Sequence, residues 1–395
     1  MIEKIKELAV RFEPEMIGYR RIIHQNPELA FKEEATCAYV KKILEKLDIE
    51  VKQIGTGVVG YLKGKNAGKK TIALRADMDA LPLHECTGLE FTSKNDGVMH
   101  ACGHDMHTAM LLGTAQILSS IRNEFEGNIR FIFQPAEESN PDCGAIKMLD
   151  GGALDDCDGI IGMHVWPSLE TGTIATKIGA IMSASDRIFI KVKGKTAHGS
   201  APDEGVDACV AAAYVITALQ SIVSRQLSPL DSHVITIGLI HGGIRYNVIP
   251  DLVSLEGTVR SGSVAVRGKI SGLIERIVKN ICDAMGAEYE FEYQKGYDLT
   301  VNEPVQTKKV IASLEKYAGR DNVIITEKQT MGGEDFSFYS KVAATTYILL
   351  GCRPIGIPVS DFPPIHNIGF NPDESCMKTG VGAMVCAALD LLNAC

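Results

Sequence analysis

The sequence predicts an α/β chain: a mostly parallel-sheet domain interrupted by a smaller inserted β-α-β-β-α-β, ferredoxin-like module. Three observations carry that prediction. Helix-period and strand-period stretches alternate through residues 1–181, as they do in sheets built from βαβ units. Near residue 182 the texture changes to half-buried strands of period two around long helices, the order of a split βαβ module. The first pattern then resumes. The economical division is a discontinuous domain of residues 1–181 and 295–395, with 182–294 inserted into it. A chain of 395 residues with 45% hydrophobic content has material for more than one core.

Taken in order, "TCAYVKKILEKL" (36–47) reads as an amphipathic helix and "KTIALRADM" (70–78) as a buried strand running into a loop. Period and length make "DMHTAMLLGTAQILSSI" (105–121) a helix. "GNIRFIFQPAEE" (127–138) is a strand that stops at proline, and "DGIIGMHV" (158–165) is a short apolar strand. In the insert, "SDRIFIKVKGK", "HVITIGLIHGG", "DLVSLEGTVRS" and "AEYEFEYQ" are strands, with helices over 206–224 and 265–285. "VQTKKVIASLEKY", "AATTYILLG" and a helix over 375–393 complete the larger domain.

Charge and composition exclude several functions. The net charge of −9 gives no long-range pull toward nucleic acid or anionic lipid, so neither nucleic acid nor membrane is an expected partner. An anionic substrate must be met by local positive groups, a metal or an arginine. The N-terminal stretch is charged and amphipathic, without a signal-peptide core, and no uninterrupted apolar run reaches membrane-spanning length. Eleven cysteines without paired spacing suggest free thiols in a reducing cytoplasm.

Reactive groups collect where strands end. Asp77 follows "TIALRA", Glu137 and Glu138 follow "IRFIFQPA", and His164 closes "IIGMH", while Cys102 and His104 precede the long helix in "HACGHDMH". Sites on open α/β sheets gather outside the carboxyl ends of the strands. Thiol, imidazole and carboxylate together suit zinc, manganese, cobalt or nickel better than calcium or magnesium. Adjacent glutamates have a natural division of labour, one binding metal and one taking a proton from water that the metal acidifies. Taken singly, each residue has a plainer reading: a structural histidine, a solvated turn, a packing cysteine. A thiol enzyme using Cys102 beside His104, or a silent metal-stabilised binding protein, are the rival functions.

The segments "ALRADMDALP", "GVMHACGHDMH", "FQPAEE", "GMHVWP", "GKTAHGSAP", "YNVIPD", "GTVRS" and "GGEDFSFY" resemble, in this order, the metal-dependent amidohydrolases. The branch is that of hippurate hydrolases, N-acyl-amino-acid deacylases and auxin-conjugate hydrolases, within the aminoacylase and carboxypeptidase superfamily. The resemblance implies a zinc-peptidase-like catalytic domain with two divalent metal ions, zinc or manganese, with cobalt or nickel as options. It implies Cys102, His104, Glu138, His164 and His366 as ligands and Glu137 as general base. Asp77 would orient a ligand imidazole. "RAD" replaces the superfamily's H-x-D; Arg75 cannot ligate, and Cys102 is expected to compensate. The insert would form a homodimer and act as a lid, bringing His198 to a partner's oxyanion. Asn247 and Arg260 match substrate-contacting positions, and Gly332 and Gly333 of "GGEDF" offer backbone that can approach a bound substrate closely. Arg245 is unusual in its motif, either selecting an acidic substrate or simply solvated, with solvation favoured. The expected substrate is an N-acyl amino acid, with a short peptide cleaved as by a carboxypeptidase as the alternative.

Overall fold

A computed structural model describes residues 1–66 and 70–393; Cys395, one of the eleven cysteines, lies outside the described residues. The chain divides into two compact units. The first comprises Met1–Ile181, Val301–Lys328 and Asp335–Cys395; the second comprises Met182–Thr300 and Gln329–Glu334.

The first unit is built on an eight-stranded sheet. Its strand order is Glu50–Ile54, Gly57–Lys63, Asn128–Gln134, Thr71–Asp77, Gly159–Glu170, Ala344–Arg353, Ile174–Thr176, Val323–Ile325. The four central strands, from Asn128–Gln134 to Ala344–Arg353, run parallel to one another, and antiparallel pairs sit toward both edges. Thr71–Asp77 is buried at every residue, its charged Arg75 and Asp77 included, in keeping with its reading as a buried strand. The helix His104–Ser120 is buried on nearly all sides, as its low amphipathicity requires. The helix Cys376–Asn393 is apolar and long enough to cross a membrane by composition, yet most of it is buried in this core.

The second unit is a four-stranded antiparallel sheet ordered His233–Gly242, Leu252–Ser261, Ala184–Lys193, Glu288–Tyr297. The helices Ala208–Ser221 and Val264–Met285 bury Ala211, Val215, Ile270 and Ile274 against it. Asp207 and Ser263 cap their first turns by accepting backbone N–H groups. Three boundaries differ from the sequence reading. The last strand continues past residue 294 to Tyr297, where it pairs with Ser185. The unit also takes in Gln329–Glu334, where Gly332 accepts a hydrogen bond from the Ser183 amide. The helix read over 206–224 becomes a π-turn at Ile222–Gln226.

Candidate metal centre

Three buried parallel strands deliver their carboxyl ends side by side. Asp77 pairs with Gln134, and Arg75 with Gly162, where the ladder to Gly159–Glu170 stops. His164 lies two residues beyond that point. It is inside its strand, which continues to Glu170 rather than ending at residue 165, because the neighbour Ala344–Arg353 keeps pairing with it. Pro135 ends the Asn128–Gln134 ladder, having no N–H to donate, and Ala136 turns the chain with a positive φ of 52°. His104 is the first residue of its helix rather than part of the preceding loop. Gly103 just before it has φ 93°; a Cβ there would stand 2.4 Å from the Val165 side chain.

Hydrogen bonds fix which ring nitrogens face the centre. The His164 Nδ1–H donates to the Val165 carbonyl at 2.7 Å, leaving the Nε2 lone pair 3.3 Å from Cys102 Sγ. His104 Nδ1 is 2.9 Å from the Asp79 carbonyl and 3.2 Å from Asp79 Oδ1. Its Nε2 is buried without a hydrogen-bond partner. Glu138 Oε1 approaches His366 Nε2 to 3.0 Å without the angles of a hydrogen bond. The ligand atoms of Cys102, His104 and His164 lie within 4.8 Å of one another, as do those of Cys102, Glu138 and His366, and those of His104, Glu137 and Glu138. The unpartnered His104 Nε2 and Glu138 Oε1, converging with Cys102, His164 and the more exposed His366, make a donor set that fits divalent cations. His366 holds φ 64°, a conformation that costs energy outside glycine, and its N–H is tied to the Ala101 carbonyl at 2.8 Å.

The other members of "HACGHDMH" have different work. His107 accepts the Val165 amide at Nε2 and donates from Nδ1 to Asp77 Oδ1 at 2.6 Å, so neither nitrogen is left for a metal. Asp77 therefore holds the imidazole of His107; the carboxylate beside His104 Nδ1 is that of Asp79. Arg75 binds Asp77 at 2.5 Å, Asp335 at 2.7 Å and Gln134 at 2.9 Å, a buried guanidinium held by neighbouring side chains that cannot itself ligate a metal. Asp105 caps no helix; it is paired to Arg20 at 3.1 Å and His24 at 2.8 Å in the core. His100 is buried with both nitrogens unpartnered, and burial lowers its pKa to about 4. Burial, then the facing Glu138, Glu137 and Asp77, push the Cys102 thiol well above the usual range. Burial alone would lower His104, but Asp77 and Asp79 outweigh it and raise it to about 10.

The model of peptidase family M20/M25/M40 matches residues 73–390 of the chain. The chain belongs to this family. Thermostable carboxypeptidase 2 of Saccharolobus solfataricus is 40% identical over 397 residues, covering 100% of this chain and 99% of the relative. The N-acyl-L-amino acid amidohydrolase of Geobacillus stearothermophilus is 44% identical over 302 residues, covering 76% of this chain and 81% of its own. The crystal structure of the Bacillus subtilis YXEP protein, a dinuclear metal binding peptidase of the M20 family, superposes with a TM-score of 0.83 at 34% identity, covering 98% of this chain and 99% of that one. This M20-family chain is thus a metal-dependent hydrolase of amide bonds, and its donor set is that of a two-metal site.

The remaining expected residues of this M20 enzyme lie in its second unit. His198 is exposed, on a short strand Ala197–His198 paired with Val248–Ile249, its Nδ1 2.7 Å from Ser200 Oγ. Asn247 is half-buried with Oδ1 unpartnered. Arg260 stands beside Gly333, where an added Cβ would lie 2.9 Å from its Nη1; burial lowers its pKa. Gly332 supplies carbonyl oxygen to Ser183. Arg245 is exposed. Asp79 and Glu33 escape sequence reasoning: Asp79 is one more acid in "DMDALP", and Glu33 sits in an unremarkable charged run.

Proposed function

We propose that this enzyme hydrolyses the amide of N-acyl amino acids. The observation that carries the reading is the pair of histidines locked through Nδ1, with Cys102 beside both, Glu137 and Glu138 beside His104, and His366 beside Cys102 and Glu138. When bound, two divalent cations held by Cys102, His104, Glu138, His164 and His366 supply Lewis acidity to the scissile carbonyl and to water. Glu137 takes a proton from the attacking water and returns it to the leaving nitrogen as the C–N bond breaks. His198, from a second copy of the chain, donates to the oxygen that gains charge. Arg260, Asn247, Gly332 and Gly333 would receive the carboxylate and backbone of the substrate.

Homodimerisation through the second unit is part of this reading. Val234, Leu239 and Ile240 are exposed on the edge strand His233–Gly242, and Val210 and Tyr214 on the helix Ala208–Ser221; open apolar edges of this kind are usually covered. Zinc suits the thiolate ligand, and manganese, cobalt or nickel suit the remaining donors. A carboxypeptidase acting on short peptides is the second reading, favoured by the full-length match to thermostable carboxypeptidase 2. A Cys102 nucleophile is disfavoured, because burial and three carboxylates oppose a thiolate there unless a cation is present. The test is a panel of N-acyl amino acids and dipeptides assayed after reconstitution with zinc, manganese, cobalt or nickel. Faster hydrolysis of the acyl amino acids is expected; no hydrolysis across the panel would overturn the proposal.

A further inference from the structure

We infer that Glu33 and Asp79 form a carboxylate clamp that positions the Glu137–Glu138 pair through its backbone. Three successive amides of the turn are received by these two buried side chains. The Ala136 N–H donates to Glu33 Oε1 at 2.9 Å. The Glu137 N–H donates to Asp79 Oδ1 at 3.0 Å, and the Glu138 N–H to Asp79 Oδ2 at 3.0 Å. One carboxylate thus spans two neighbouring N–H groups, a fork that holds two peptide planes at once. Consecutive N–H groups face one way only where the chain makes an anion-binding nest, and Ala136 at φ 52° begins that turn.

The clamp reaches further than the turn. Asp79 Oδ1 is also 3.2 Å from His104 Nδ1, so one buried carboxylate fixes the base, a glutamate ligand and a histidine ligand together. Glu33 accepts in addition from the nearby Phe31 amide at 3.0 Å and from the Thr56 hydroxyl at 2.6 Å, the latter anchoring it to another segment. Both side chains are 0–1% exposed, where an unmatched charge would be costly. With the backbone held, the adjacent side chains part: Glu138 Oε1 lies 3.0 Å from His366 Nε2, whereas Glu137 Oε1 accepts the Asp335 amide at 3.4 Å. Neither Glu33 nor Asp79 is a catalytic residue; both act through the turn, and the inference rests on Glu137 and Glu138 having the roles proposed above.

The experiment compares Asp79→Asn, Glu33→Ala and Glu33→Gln, each checked for folding by circular dichroism. In either rotamer, the Asp79→Asn amide turns an NH₂ toward one of the two backbone N–H groups and loses that bond. Glu33→Gln keeps an oxygen for Ala136 and Phe31; Glu33→Ala does not. Titration of metal-free protein with zinc against a chromophoric chelator should show one equivalent weakened on the order of 10–100-fold in Asp79→Asn. At saturating metal, kcat should fall by a similar order with KM little changed. Glu33→Ala should move both readouts the same way, and Glu33→Gln should restore them. Folded Asp79→Asn with wild-type metal affinity would overturn the clamp, as would a Glu33→Ala loss that Glu33→Gln fails to rescue. Were Asp79→Asn not to fold, the Glu33 pair decides alone. The zinc titration needs no substrate, so failure of the substrate proposal leaves this test intact.

Discussion

Substituting His24 should remove a pH-dependent share of stability. Its ring joins Asp105 Oδ2 at 2.8 Å and Glu85 Oε1 at 3.1 Å inside the core. Burial opposes the charged ring, but hydrogen bonds to Asp105 and Glu85 outweigh it and raise the pKa from 6.5 to about 9. A raised folded pKa means that folding binds the proton more tightly than the unfolded chain does. The stabilisation is therefore complete below pH 6.5 and disappears as pH rises through 9. At about 1.4 kcal/mol per pKa step, its full size is about 3 kcal/mol, an upper figure because the two carboxylates share the interaction. The assay is urea unfolding of metal-free wild type and His24→Gln at intervals from pH 6 to pH 10. The wild-type advantage should shrink steadily between pH 6.5 and 9 and level off above. A difference that stays flat across that window would show that His24 is not cationic in the fold.

Glu137→Gln should keep two metal equivalents per chain while kcat drops on the order of 10²–10⁴-fold, the usual share of a general base; near-normal turnover would remove Glu137 from the chemistry. Chelation should abolish hydrolysis, and added zinc or manganese should restore it, whereas alkylating thiols in the metal-loaded enzyme should leave activity largely intact; the reverse pattern would support a thiol enzyme. Gly144→Ala should destabilise the first unit by about 3 kcal/mol or more, because the new Cβ would fall 1.6 Å from the Pro135 carbonyl oxygen. A thermal melt showing an unchanged Tm would contradict that close approach.

Much of this architecture was readable because its signals are local. The apolar start of Thr71–Asp77 and the period of His104–Ser120 mark themselves, and Pro135 announces the end of its strand. The hairpin Glu50–Ile54 and Gly57–Lys63 is less legible, because its second strand is buried on both faces through Val58, Val59 and Gly60 and shows no alternation. Cys102, His104, Glu137, Glu138 and His164 stand out by residue type near the strand ends, whereas His366 is reached only through the family resemblance. Their helpers do not stand out, since a carboxylate that accepts backbone N–H groups looks no different in sequence from one in solvent. Glu33 and Ala136 are 103 residues apart, and only the folded sheet brings them together. Similarly, nothing local distinguishes Asp105, paired with Arg20 85 positions away, from a helix-capping aspartate.

His104 and His107 show how fine the remaining distinction is. They sit three residues apart at the start of one helix, on the same face, with ring centroids 5.5 Å apart. Residue type, burial and spacing are the same for both. What separates them is the second nitrogen. His104 turns Nδ1 to Asp79 and keeps Nε2 open toward Cys102, His164 and the glutamates. His107 turns Nδ1 to Asp77, and its Nε2 is consumed by the Val165 amide. Because Val165 follows His164 directly, that last bond holds the backbone from which the His164 imidazole projects. One histidine is thus available to a cation and the other supports the strand beside it, a division made by the two aspartates of "ADMD" and by one backbone N–H.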